Sequence, residues 1–205
     1  MGVAVLQSYP VPSDKTGQQV IETLTRRIMN LGASPAGQFV VDCEVYNSLP
    51  HLGQNKNLYI LHNSEYPATV FSVIESQNKT VSITTDSLFD LLMLKLSTGN
   101  QYYSKKIKIE SKGPRFEIKD FLVKLGSVTI GGTVKGILVE VDYLPGIIPG
   151  TCWGLLAEFM QGFLGSCVSV VPPAYIKSKA TEAFSPVDTV QQYLEQFNLA
   201  RKNTR

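Results

Sequence analysis

Cysteine is scarce: Cys43, Cys152 and Cys167 are odd in number and far apart. That excludes a disulfide framework and predicts reduced, mostly buried thiols in a soluble intracellular chain. Histidine is scarcer, with only His51 and His62, and no cysteine pair is separated by two residues. The ligand spacing of a zinc site is therefore missing. No apolar run approaches the ~20 residues that span a bilayer. The N-terminal MGVAVLQSYPVP has no basic stretch before its short apolar part, unlike a signal peptide. Charge is thin as well: 18% of residues are charged and the net charge is +2, too little for nucleic-acid binding driven by bulk charge. No glycine-rich phosphate loop and no internal repeat is visible.

What is present is a hydrophobic fraction of 43% in 205 residues, enough for one packed domain over residues 1–205. The clearest stretch is DFLVKLGSVTIGGTVKGILVEVDY, residues 120–143. Two runs rich in β-branched residues, Phe121 to Ile130 and Val134 to Tyr143, are joined through Gly131-Gly132, which suits the positive φ angles of a tight hairpin turn. Ile137, Val139, Val141 and Tyr143 fall on one face; Leu138, Glu140 and Asp142 fall on the other. That alternation predicts an antiparallel strand with one face in a core.

The rest of the chain supplies more elements of both kinds. Further strands are predicted at Val3 to Gln7, Gln38 to Tyr46, Leu58 to His62, Thr69 to Glu75, Thr80 to Thr84, Tyr102 to Lys112 and Phe116 to Ile118. A helix over Thr16 to Leu31 carries Val20, Leu24, Ile28 and Leu31 on one face, with Gly32 and Pro35 to end it. A second, Asp86 to Leu96, has Asp86 as N-cap and gathers Leu88, Leu91, Leu92 and Leu96 on one side, with Phe89 and Met93 beside them. A third, Cys152 to Leu164, has a stripe of Leu155, Leu156, Phe159, Met160 and Phe163. The last, Pro186 to Lys202, follows the N-cap Ser185. Short consecutive strands with hairpin-like spacing point to an α+β fold: an antiparallel β-barrel of roughly eight strands with N-terminal, middle and C-terminal helices.

Three chemical readings compete. Glu140 with Asp142, and Asp42 with Glu44, share strand faces, and inside a barrel such carboxylates with nearby lysines suit a divalent cation and a triphosphate. Most strands supply apolar partners instead, so the charges read better as solvated outer faces. Lys105, Lys106, Lys108, Lys112 and Arg115 form a basic stretch flanked by Tyr102, Tyr103 and Phe116, few stacking rings for a nucleic-acid platform. His62 reads as a hydrogen-bonded strand-end histidine, and Cys152 as a packed thiol at a helix start. The third reading is interaction: Ile147 and Ile148 in a Pro/Gly loop, and Val170 and Val171 in a linker, are apolar where loops are usually polar. They mark a partner surface or cap an open barrel end.

A family resemblance covers nearly the whole chain. It rests on HNSEYP at His62 to Pro67, DFLVKLGSVT at Asp120 to Thr129, and GILVEVDY at Gly136 to Tyr143. It continues through CWGLLAEFMQGFLGS at Cys152 to Ser166, and through Asp188-Thr189, Gln192-Tyr193, Phe197-Asn198 and Arg201-Lys202. Met1-Gly2-Val3 and Val41-Asp42-Cys43-Glu44 also belong to it. In these motifs the chain resembles the family of Mediator of RNA polymerase II transcription subunit 20. The resemblance implies a nuclear, non-enzymatic subunit of the Mediator head module, a coactivator between transcriptional regulators and RNA polymerase II. It implies a heterodimer with the similarly folded subunit 18, tethered through the C-terminal region of subunit 8, with polymerase reached indirectly. It implies no direct nucleic-acid or membrane contact, no cofactor and no catalytic residues. Barrels of this family are distantly related in shape to the triphosphate tunnel enzymes, which keeps the metal-dependent phosphohydrolase as the alternative.

Overall fold

A computed structural model describes residues 2–53, 55–77, 79–100 and 102–202. Eight strands form one sheet in the order β1-β8-β7-β6-β2-β3-β4-β5. They are β1 (Val3–Tyr9), β2 (Ser34–Ser48), β3 (Asn57–Asn63), β4 (Thr69–Ser76), β5 (Lys79–Asp86), β6 (Tyr103–Ile118), β7 (Phe121–Ile130) and β8 (Thr133–Tyr143). The α-helices are α1 (Gly17–Asn30), α2 (Leu88–Ser97), α3 (Pro149–Leu164), α4 (Ala174–Ser178) and α5 (Pro186–Lys202). This bears out the α+β, barrel-type antiparallel sheet with helices near the start, middle and end. The chain divides into two compact units, one of residues 1–39, 111–129 and 134–205, the other of residues 40–110 and 130–133.

In the first unit the hairpin forms as its sequence demands. Gly131 and Gly132 take φ of +56° and +83°, the pair of positive angles a two-residue turn needs. Helix α1 starts on a capping box, Thr16 Oγ1 accepting from the Gln19 amide while the Gln19 side chain accepts from the Thr16 amide. Its Val20, Leu24 and Ile28 enter a core with Val3, Val5, Ile137, Val139, Val141, Leu156, Met160 and Phe163. Leu31, expected on that face, is exposed, because the helix has ended by Asn30 and the chain turns at Gly32, φ +95°.

Two other expectations are corrected here. Pro114 does not split β6: a single strand runs from Tyr103 to Ile118. The neighbouring backbone comes so close that a Cβ on Gly113 would lie 2.0 Å from the Leu125 carbonyl oxygen, so the Gly-Pro pair marks tight strand apposition, not a break. And β8 is not half-solvated. Ile137 through Asp142 are all buried, because α5 covers the acidic face that the alternation leaves opposite the core.

In the second unit β2, β3, β4 and β5 pair antiparallel in sequence. Helix α2 lies on one face of this sheet, where Met93 packs with Tyr46, Leu58, Ile60 and Val70, and Phe89 and Leu96 join at the edge. The expected apolar side of α2 is thus turned around. Leu88, Leu91, Leu92 and Leu94 are exposed, and Phe89, Met93 and Leu96 are the anchors. The helix is apolar on almost every side, so periodicity alone could not say which side the sheet would take.

Candidate functional site: buried carboxylates and exposed apolar surfaces

Three of the four carboxylates that suggested an enzyme, Glu140, Asp42 and Glu44, are held by neighbouring side chains. Glu140 on β8 and Lys124 on β7 face the same side of the sheet. Their ion pair measures 2.9 Å with both side chains 3% exposed. From above, α5 lowers Tyr193, whose hydroxyl donates to the other Glu140 oxygen. The lysine ammonium also stands 5.9 Å from the Phe39 ring centroid, in cation–π range. One residue before Tyr193, Gln192 donates to the Ala4 carbonyl and accepts from the Leu6 amide of β1. The start of α5 is fixed by Asp188, whose carboxylate accepts from the Ser185 amide and hydroxyl and from the Tyr175 hydroxyl. Reading these acids as a solvated outer face is therefore wrong for Glu140 and Asp142: they are buried.

In the second unit, Asp42 and Glu44 lie on the α2 side of β2. Asp42 accepts from His62 Nδ1 at 2.8 Å and pairs with Lys108 at 2.8 Å; His62 Nε2 reaches Asp90 of α2 at 3.1 Å. Glu44 pairs with Lys105 at 2.7 Å and accepts from the Tyr46 hydroxyl. The strand-end histidine is hydrogen-bonded, as expected. The Asp42 bond, helped by Asp90 and against partial burial, raises the His62 pKa from 6.5 to about 9. Burial pushes the Asp42 carboxyl up, but its bonds to His62 and Lys108 outweigh that and hold it below the ordinary value. Among the described residues, no group of three or more His, Cys, Asp or Glu is arranged to hold a metal ion.

A pH dependence follows with a definite sign. A histidine with a raised folded pKa stabilises fully below its unfolded value, and that contribution disappears as pH climbs from about 6.5 to about 9. Urea midpoints of the full chain should fall over this window, and His62→Gln should flatten the fall. An unchanged slope in the variant would dismiss the latch between β3 and α2.

Of the basic stretch, Lys105 and Lys108 are used in the pairs just described, Arg115 donates to the Ala36 carbonyl, and Phe116 is a core residue. Tyr103 packs against the cluster under α2, and Tyr102, just before the strand, is exposed beside the His51 ring. A second basic group, Arg201, Lys202 and Arg205, closes the sequence, and Arg205 lies outside the described residues.

The apolar loop residues face water. Ile147 is 66% exposed, Ile148 36%, Val170 76% and Val171 65%. Two of the four, Ile148 and Val170, are tied directly to the start of α3. The Ile147 carbonyl accepts from the Phe184 amide, Ile148 is the residue before Pro149 at N1, and the Trp153 indole donates to the Val170 carbonyl at 2.8 Å. Thus two loops far apart in sequence are fixed on one helix end. The sequence did not reveal the exposed leucines of α2, although a helix apolar on every side was a usable signal.

The model of "TATA-binding related factor (TRF) of subunit 20 of Mediator complex" matches residues 1–198. The chain belongs to the Mediator subunit 20 family. Among its relatives, the Anopheles gambiae Mediator subunit 20 is 53% identical, with the alignment covering 100% of this chain and 96% of that one. The Drosophila melanogaster protein is 46% identical, covering 99% and 87%, and the human protein 42%, covering 98% and 95%. Family membership makes the chain a subunit of Mediator, a transcriptional coactivator working with RNA polymerase II. Its relatives are named as subunits of that complex, not as enzymes.

Proposed function

We propose that the chain performs no chemistry and acts as an interaction subunit of the Mediator head module in the nucleus. In this reading it pairs with Mediator subunit 18 and is tethered through that dimer to the C-terminal region of subunit 8. The remaining head subunits and RNA polymerase II are reached indirectly. The observation that carries the reading is an inversion of the usual surface: Glu140 and its lysine are buried, while Ile147, Ile148, Val170 and Val171 face water. A triphosphate tunnel needs carboxylates and lysines open to substrate and metal. A protein interface needs apolar side chains on a firm base, and α3 supplies one.

Co-expression with subunit 18 is expected to give a soluble one-to-one complex, and Ile147→Asp/Val170→Asp to weaken it about tenfold, ~1.4 kcal/mol. A monodisperse monomer without affinity for subunit 18 would sink the pairing. Tripolyphosphate with magnesium or manganese should be hydrolysed no faster than in a protein-free blank; turnover rising with chain concentration would restore the enzyme reading.

A further inference from the structure

The two ends of the sheet are finished differently. At β1, Gln192 stands in for a missing strand, its amide bonding the outward groups of Ala4 and Leu6. At β5, the other end of the strand order, no described strand pairs with the outer edge. Every residue of β5 except Thr85 is exposed. Sheet edges are normally blunted by proline, by a lysine in mid-strand, by shortness or by a cover. The β5 sequence KTVSITTD has none of the first three: no proline, its lysine only at the first position, and eight residues of length.

The surface beside this edge is apolar too. Val81 and Ile83 pair across the sheet with Ile74 and Ser72, and Ile74 packs into the cluster under α2. Directly opposed residues of an antiparallel pair share a face, so Val81 and Ile83 lie on the α2 side. There the helix leaves Leu88, Leu91 and Leu92 exposed. Backbone edge and apolar shelf therefore belong to one surface of the second unit.

We infer that β5 is a docking edge for an extended segment of another subunit, which adds antiparallel to Lys79–Asp86 as a ninth strand. The edge fixes the occupant's form, because unpaired strand groups are satisfied in register by a strand and not by a helix. Its chemistry follows from position: apolar side chains at alternate residues meet Val81, Ile83 and the α2 leucines. Antiparallel addition is the more stable pairing per residue, and charge then sets the occupant's ends. Asp86 and Lys79 are the exposed ends of β5, so an antiparallel occupant is basic at its first residue and acidic at its last. The inference rests on the interaction-subunit reading but not on pairing with subunit 18 through the α3 loops.

The test is amide hydrogen exchange of this chain, free and within the purified intact Mediator complex. Exchange within residues 79–86 should slow about tenfold or more at alternate amides on assembly. Ile83→Lys, at a position already exposed, should leave the free fold intact and reduce incorporation about tenfold in competition with the original chain. Ile83→Thr should incorporate normally. Unchanged exchange at β5, or uniform slowing at successive amides without alternation, overturns strand addition; so does equal incorporation of Ile83→Lys. Because subunit 18 pairing is read separately through Ile147→Asp/Val170→Asp, either idea can fail while the other stands.

Discussion

Glu140→Ala is expected to destabilise the chain by ~3–5 kcal/mol, the cost of breaking a buried ion pair and leaving one charge behind. Both members are 3% exposed, so water cannot replace the lost partner without opening the α5 side of the sheet. The substitution removes the acceptor of Lys124 and of the Tyr193 hydroxyl together. Lys124→Ala should cost about as much, ~3–5 kcal/mol, for the mirror-image reason. Replacing all three groups tests the explanation. Glu140→Leu/Lys124→Met/Tyr193→Phe removes the charges and the hydroxyl while keeping volume, and apolar replacements of buried ion pairs are often neutral or stabilising. Urea denaturation followed by far-UV circular dichroism measures all of these. If the triple variant is as unstable as Glu140→Ala, the loss comes from packing and not from the unmatched charge.

That pair also marks where the sequence stopped being readable. Local signals carried far: the Gly131-Gly132 turn, the start of α1 on Thr16, and α5 opening on Ser185-Pro186 all sit where short-range chemistry places them. These features depend on residues within a few positions of each other. The partners of Glu140 lie 16 and 53 positions away, and nothing in an alternating pattern says that a later helix will cover its acidic face. Counting Glu140 and Asp142 as solvated was sound for an uncovered antiparallel strand. Helix α5 removes that condition. The reversal of α2 has a related origin. With apolar residues on nearly every side, the sheet could anchor any of them, and the choice of Phe89, Met93 and Leu96 is made by the shape of β2 to β4. The four loop residues Ile147, Ile148, Val170 and Val171 were visible as misplaced apolar groups. That Ile148 and Val170 meet one helix, through Pro149 and Trp153, was not.

The second large effect is expected at Phe197. It is fully buried on α5 and packs against Tyr193 with ring centroids 5.6 Å apart. Phe197→Ala deletes most of a core ring and should cost ~3–5 kcal/mol, whereas Phe197→Leu should stay under ~1.5 kcal/mol because volume is largely kept. The location makes the loss more than a cavity. Phe197 sits one helical turn beyond Tyr193, so loosening it frees the segment that shields Glu140 and Lys124. Once α5 lifts, both charged groups regain water and the penalty for separating them shrinks. The costs of Phe197→Ala and Glu140→Ala should therefore sum to more than the double variant loses, by ~1–2 kcal/mol in a double-mutant cycle. Strict additivity would mean that the ion pair is protected by the sheet alone and that α5 merely rests on it. A shortfall would make α5 the cover that keeps this carboxylate and its lysine away from solvent, and so links the helix's packing to the burial of the ion pair.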